Sequence, residues 1–261
     1  MKKGVSMNTR VKSDRGAKLL GSVSLLSALL LCAPVAYGAG VSNDNAYELL
    51  NRATPMSEGA AQGHFNCRAS ALRLDLPLGL EVEPLTANPP NNPCRQDSES
   101  LLSFGHDLGI GTGTLIAKTN DDPQDLHSLA KVQKLKLTNL LDLVNLTARV
   151  IRANAHVTAN ANGKCRLQSS SALVGAVIQG QRYDTLNTPL DIDIKALGLV
   201  VAKLHLNATL GGKHPTIGNP DPTRITQRAV WLEVKDPVLQ LTLTNLIVGE
   251  ASAGTVGKPC K

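Results

Sequence analysis

LTARVIRANAHVTA, residues Leu146 to Ala159, decides the fold class of this 261-residue chain. Apolar and polar residues alternate through the stretch. Ala148, Val150, Arg152, Asn154, His156 and Thr158 fall on one side, and Thr147, Arg149, Ile151, Ala153, Ala155, Val157 and Ala159 on the other. A period of two is the signature of a half-buried β-strand. After it comes a turn at Asn160 to Gly163, and further strands are expected at 165–171, 173–178, 190–194, 199–210, 225–234, 238–243 and 246–252. Gly211-Gly212 and the segment from Gly218 to Pro222 break the longer runs.

Towards the N-terminus the same pattern returns after Cys67, where Leu72, Leu74 and Leu76 interleave with Arg73 and Asp75. Pro77 sits at the bend before Leu78, Leu80 and Val82. Residues 87–100 (ANPPNNPCRQDSES) are loop by composition, and 110–118 (IGTGTLIAK) reads as a strand weakened by two glycines. One segment departs from β. Leu137, Leu140, Leu141 and Val144 stand at 0, +3, +4 and +7, which favours a short helix, and Tyr47 to Arg52 forms a second helical patch. Together these readings give a mostly β chain, an antiparallel β-sandwich or barrel-like domain with one or two short helices. Ser70–Val82 and Ala229–Leu241 look alike, each an alternating strand, a Pro-containing bend and a second alternating stretch, which suggests an internal duplication.

The first 38 residues read differently. A basic stretch is followed by the apolar run Leu19 to Leu31 and a small-residue exit ending Ala36-Tyr37-Gly38. This is the shape of a secretory signal peptide, and the run is shorter than the roughly 20 residues a membrane-spanning helix needs. The expected organisation is a signal peptide over 1–38, a flexible lead-in over 39–63 and a β-rich secreted domain over 64–261. Six of the 27 basic residues but one of the 21 acidic ones lie in the leader, which leaves 21 against 20. The pI of 9.1 therefore belongs to the leader. That excludes nucleic acid as a partner, since phosphate binding needs a lasting basic surface. No transmembrane span is expected in the mature chain.

Cys67, Cys94, Cys165 and Cys260 remain after the leader, an even number that in an oxidising compartment reads as two disulfides. Three pairings exist, and the spacing favours Cys67–Cys94 with Cys165–Cys260. A zinc site fails on spacing, because there is no Cys-x-x-Cys and no close Cys/His pattern.

Chemistry is hard to find in what remains. Asp191 and Asp193 share a strand face but lack the loop of a calcium hand, and Asp121-Asp122-Pro123 reads as a turn. His64, His106, His127, His156, His205 and His214 are scattered, with His156 and His205 able to approach each other across a sheet. GIGTGT (Gly109–Thr114) lacks the third glycine and the helix of a dinucleotide fingerprint. Trp231, centred in an alternating strand, reads as core. Aromatic residues make up only 2% of the chain, which argues against a ring-stacking platform for glycans or single strands. No catalytic, metal or cofactor residue is assigned.

The segments ASALRLDL, LVNLTARVIRANAHVTANANGKC, SALVGAVIQGQRYD, ALGLVVAKLHLNATL and LTLTNLIVGEASAG resemble the bacterial surface proteins grouped as the choice-of-anchor P family. The resemblance covers most of Cys67 to Cys260 and implies a secreted or surface-displayed β-domain with no established catalytic role. The expected function is thus a non-catalytic secreted or cell-surface β-domain with a structural or adhesive role, whose partner is a cell-envelope or extracellular protein or surface. Its contacts would use flat sheet faces or loops such as 87–100 and 211–223. Two other classes stay open: an exported hydrolase with dispersed catalytic residues, and a carrier of an apolar ligand.

Overall fold

Alternating sequence becomes strand almost throughout the computed structural model, which describes residues 63–257 apart from 91, 107–108, 123–124, 141–143, 160–163, 197, 237 and 240. The leader, the Tyr47–Arg52 patch and Cys260 lie outside the described residues. In chain order the strands are β1 (His64–Asp75), β2 (Glu81–Ala87), β3 (Asp97–Leu101), β4 (Phe104–His106), β5 (Ile110–Thr112), β6 (Leu115–Asn120) and β7 (Asp125–Leu140). They continue as β8 (Val144–Ala159), β9 (Cys165–Ile178), β10 (Gln181–Leu186), β11 (Leu190–Ala196), β12 (Leu199–Gly212), β13 (Asp221–Lys235) and β14 (Thr242–Val256).

Two antiparallel sheets pack face to face. The first has the order β11-β12-β13-β14-β1-β2, and the second β10-β9-β8-β7-β5-β4, with β6 on β7 and β3 on β6. This is a sandwich, and its sheets do not close into a barrel. The helix expected over Leu137–Val144 is not formed: β7 runs to Leu140 and β8 starts at Val144. Leu137 and Val144 point into the core from two antiparallel strands on either side of a turn, and a four-plus-three spacing mimics a helical face. The single helical element among the described residues is a 3-10 turn at Pro77–Gly79. Val238, Leu239 and Leu241, expected in a strand over 238–243, lie instead between β13 and β14, where the Asp236 amide donates to Leu241 O at 2.8 Å.

The core is aliphatic, with Leu72, Leu137, Leu146, Ile151, Leu173, Leu204, Leu206 and Leu232 fully buried. Alternation does not run unbroken along the long strands. In β8 the buried residues are Leu146 and Ala148, then Ile151, Ala153, Ala155 and Val157; in β7 Val132 is followed by Leu135, and in β9 Leu173 by Ala176. Each of these three strands thus places two adjacent residues outward at one level. In the first sheet the reverse happens: Ala71 and Leu72 of β1, Leu206 and Asn207 of β12, and Ala229 and Val230 of β13 are buried as neighbouring pairs. These positions are level with one another, each falling between flanking pairs: Leu206 with Val230 and Ala208 with Arg228, Val230 with Val248 and Arg228 with Glu250, Leu72 with Val248 and Ser70 with Glu250. Left-handed φ values absorb the slip on alternate strands, +54° at Asn207 and +71° at Gly249 in one sheet, +53° at Lys134 and +60° at Gly175 in the other. A transverse crease therefore crosses both sheets and exchanges inside for outside along the strands it cuts.

A disulfide joins Cys67 of β1 to Cys94 in the loop after β2, with Cα atoms 4.9 Å apart. Asn88 supports it, donating from Nδ2 to Cys67 O at 2.6 Å. Cys165 is also disulfide-bonded, to a partner outside the described residues. The Cys67–Cys94 bridge closes a separation of 27 residues, for which the chain-entropy argument gives about 2–4 kcal/mol. The Cys67→Ala/Cys94→Ala variant is expected to lose that much stability in urea denaturation. A loss below about 1 kcal/mol would mean that the β2–β3 loop is already closed without the bridge.

Candidate functional site

The outer face of the six-stranded sheet gathers charge that the sequence scatters. Below the crease, Arg68 of β1, Glu250 of β14 and Arg224 and Arg228 of β13 point outward; above it, Arg73 of β1 does so because the crease has shifted its phase. Glu250 is buried, 4% exposed. Its Oε1 accepts from Arg68 Nη1 at 2.6 Å and Arg73 Nη1 at 3.2 Å, and its Oε2 from Arg228 Nε at 2.7 Å. Arg68 reaches Glu83 of β2 with its second terminal nitrogen. Burial pushes the Glu250 carboxyl upward more strongly than any other influence, yet Arg228, Arg73 and Arg68 together outweigh it and hold it below its ordinary range. Glu250 is a fixed anion.

The network continues across β13 and β12. The Arg228 guanidinium lies 4.4 Å from the centre of the Trp231 ring. Trp231, expected as core, faces outward and donates from Nε1 to Asn245 Oδ1 at 3.3 Å. His205 leans on Trp231 with ring centres 5.1 Å apart. Its Nδ1 meets Asp191 Oδ1 at 2.8 Å and its Nε2 meets Glu233 Oε2 at 3.3 Å, so each ring nitrogen already faces a carboxylate.

Two loops rise beside this face, and between them and the strands lies a cleft of about 500 Å³. Its walls include Arg68, Arg73, Arg224, Arg228, Glu250 and Asp221, with Pro90 from one loop and Ile217 to Asn219 from the other. Sequence explains the second loop locally. Gly211 has φ +71°, and a Cβ there would stand 2.3 Å from Arg224 O, so the strand can turn out over β13 only with glycine. Thr216 then clamps the loop, its amide donating to Thr209 O at 2.9 Å and its hydroxyl accepting from the Thr209 amide at 2.8 Å. Asp221, at the cleft edge, is held below the usual carboxylate range chiefly by the Thr223 hydroxyl. The loops 87–100 and 211–223, expected from composition as contact loops, are the ones that flank this cleft.

A second cleft of about 590 Å³ opens between the sheets, lined by Cys165 to Ser169 of β9, Gly211 to His214 and Ile225. From its lining residue Ser169 a neutral polar chain runs inward: Ser169 donates to Gln227 Oε1 at 2.8 Å, Gln227 Nε2 to Ser171 at 2.7 Å, and Ser171 to Asn207 Oδ1 at 2.7 Å. These bonds satisfy polar groups inside the sandwich and tie its two sheets together.

The residues weighed from sequence fall mostly elsewhere. His156 and His205 lie on different sheets; His156 instead stacks on His127, 5.1 Å away, and meets Asp125 at 3.3 Å. Burial, then the neighbouring His156, lowers the His127 pKa. Asp193 is an exposed partner of Lys203 at 4.0 Å, and Asp122 sits in the turn before β7. GIGTGT forms β5 and its flanks. Among the described residues no three His, Cys, Asp or Glu side chains are grouped to hold a metal ion, and no helix is long and apolar enough to cross a membrane. The arginine–glutamate cluster escaped sequence reading because Arg68 and Glu250 are 182 residues apart. No protein-family model matches the chain, and neither curated proteins nor solved structures give a match.

Proposed function

We propose that this chain is an exported, non-catalytic contact module with a structural or adhesive role at the cell envelope, as its sequence resemblance to choice-of-anchor P proteins implies. One observation carries the reading. The β1–β2, β11–β12 and β13–β14 hairpins all turn at the same end of the first sheet, and there Leu80, Leu199, Val238, Leu239, Leu241 and Leu243 stand 48–80% exposed. With strands about 4.8 Å apart, the three tips span roughly 20 Å. Asp236 fixes the most prominent of them, its Oδ1 accepting the amides of Val238 at 2.9 Å and Leu239 at 2.6 Å, which turns both side chains outward. An apolar rim of this kind marks a contact surface.

Position supports the same reading. The described chain begins and ends at the opposite end of the sheet from the tips, where His64 pairs with Val256. A disulfide fits an oxidising compartment. Glu250 and His205, the groups best placed for proton transfer, are held by fixed partners instead.

The test is a full-length Val238→Ser/Leu239→Ser/Leu241→Ser variant, assayed for association with isolated envelope fractions. Burying such side chains contributes about 1.5–3 kcal/mol each, so association is expected to weaken at least tenfold while the melting temperature stays unchanged. Undiminished association of a folded variant overturns the reading.

A further inference from the structure

We propose that the arginine-walled cleft on the outer face of the six-stranded sheet is a binding site for an oxyanion, a carboxylate, sulfate or phosphate carried by an acidic saccharide. The inference is independent of the hairpin tips, which lie at the other end of the sheet from the 213–220 loop.

The geometry points to a ligand rather than to a self-contained ion network. Glu250, in the cleft wall, accepts from three guanidinium groups and so anchors them beside the space. Its two oxygens take up one terminal nitrogen each of Arg68 and Arg73 and the Nε of Arg228. Both terminal nitrogens of Arg228 and the Nη2 of Arg73 then hold no hydrogen bond among the described residues. Arg224 donates from Nε to the neutral Ser252 hydroxyl at 3.1 Å; its charge also acts on Asp221, but it forms no ion pair among the described residues. Three arginines that keep donors without a hydrogen bond among the described residues are therefore in the wall of one space of about 500 Å³. Guanidinium forks of this kind match the paired oxygens of carboxylate, sulfate and phosphate groups.

Charge agrees. Four guanidinium groups line the cleft against two carboxylates, Glu250 and Asp221, and both carboxyls are held below their ordinary range. Glu83 and Asp75 engage Arg68 and Arg73 but are not part of the wall, so the open side is cationic. The rest of the lining favours a sugar. Thr226 and Asn219 present neutral donors and acceptors, and no aromatic ring contributes to the wall. That composition suits hydroxyl-bearing rings held by hydrogen bonds better than an apolar anion. The chain's aromatic poverty argues against a platform of stacking rings for saccharides, and this cleft offers another means.

The experiment measures binding to the full chain by calorimetry with five probes: inorganic phosphate, inorganic sulfate, an oligouronate, a sulfated oligosaccharide and a neutral oligosaccharide of equal length. The acidic saccharides are expected to bind, more weakly as salt rises, and the neutral one not to bind. Preference for the oligouronate identifies a carboxylate ligand; preference for the sulfated chain, or for the two inorganic ions, identifies a tetrahedral oxyanion. Arg224→Gln, outside the Glu250 cluster, is expected to weaken binding at least tenfold with an unchanged melting temperature, and Arg224→Lys to recover part of it. No binding by any acidic probe at roughly 10 mM (an affinity weaker than about −3 kcal/mol), equal binding of the neutral oligosaccharide, or full affinity in Arg224→Gln overturns the proposal.

Discussion

Glu250→Ala is expected to destabilise the sandwich by about 3–5 kcal/mol, the range for removing one partner of a buried ion pair. The cost does not lie in the lost carboxylate alone. Arg68 and Arg228 have side chains only 7% and 15% exposed. Without Glu250, Arg228 has no counter-charge among the described residues, while Arg68 keeps Glu83 and Arg73 keeps Asp75. For a domain of this size each kcal/mol shifts the melting temperature by about 2–4 °C, so a fall of roughly 6–20 °C should appear in a thermal melt. Acid supplies an independent check. A carboxyl whose folded pKa lies below its unfolded value of 4.5 stabilises the fold fully above pH 4.5, and that contribution fades as pH falls through the folded value. Wild type and Glu250→Ala should therefore differ most above pH 4.5 and converge below it. A gap that persists unchanged at pH 2 would assign the effect to lost packing rather than to charge.

What the sequence made legible follows from what is local. The β class and the Cys67–Cys94 bridge rest on short-range pattern and spacing, and the structure has both, whereas the segment between β13 and β14 reads as strand in the sequence and is not one. The crease does not announce itself locally. Reading Leu146 to Ala159 as one uninterrupted alternation puts Ala148 and Ile151 on opposite faces, whereas both are buried. Trp231 suffers the same fate. It is in phase with the buried Ile225, Gln227 and Ala229, so a constant period of two sends it into the core; the slip between Ala229 and Val230 sends it outward. Arg73, in phase with Ala69 and Ala71, is carried out in the same way, and only then can it reach Glu250. Gly249 and Gly175 were the sequence hints. Lys134 and Asn207, which carry the same backbone conformation, gave none, because a left-handed non-glycine residue inside a strand is a tertiary effect that local propensity does not encode. The candidate site was illegible for a related reason. Charged residues on alternating strands look like an ordinary wet face, and convergence of four distant ones on a covered cleft depends on strand order.

Because the crease decides which side chains reach the cleft, a side chain placed at its core-facing glycine should be felt both in stability and at the cleft. Gly249 has φ +71°, and a Cβ there would stand 3.3 Å from Ile151 Cγ2 across the core and 3.4 Å from Ala229 Cβ on the neighbouring strand. Gly249→Val is expected to cost about 2–5 kcal/mol, roughly 1–2 from placing a side chain at left-handed φ and about 1–3 from overpacking between the sheets. Gly180→Val separates the two contributions. That residue has φ +85° in the β9–β10 turn with nothing within 4 Å of its would-be Cβ, so it carries the backbone cost without the packing one. Chemical denaturation of both variants should show the larger loss at Gly249, and equal losses would mean that the sheets move apart freely there. Trp231, the single tryptophan of the chain, reports the consequence. If strain at Gly249 relaxes the crease, Trp231 loses its seat beneath Arg228, and its emission should change in the folded Gly249→Val protein and not in Gly180→Val. Stability and spectral response are then linked through one row of residues, which is what a crease that sets the phase of the binding face requires.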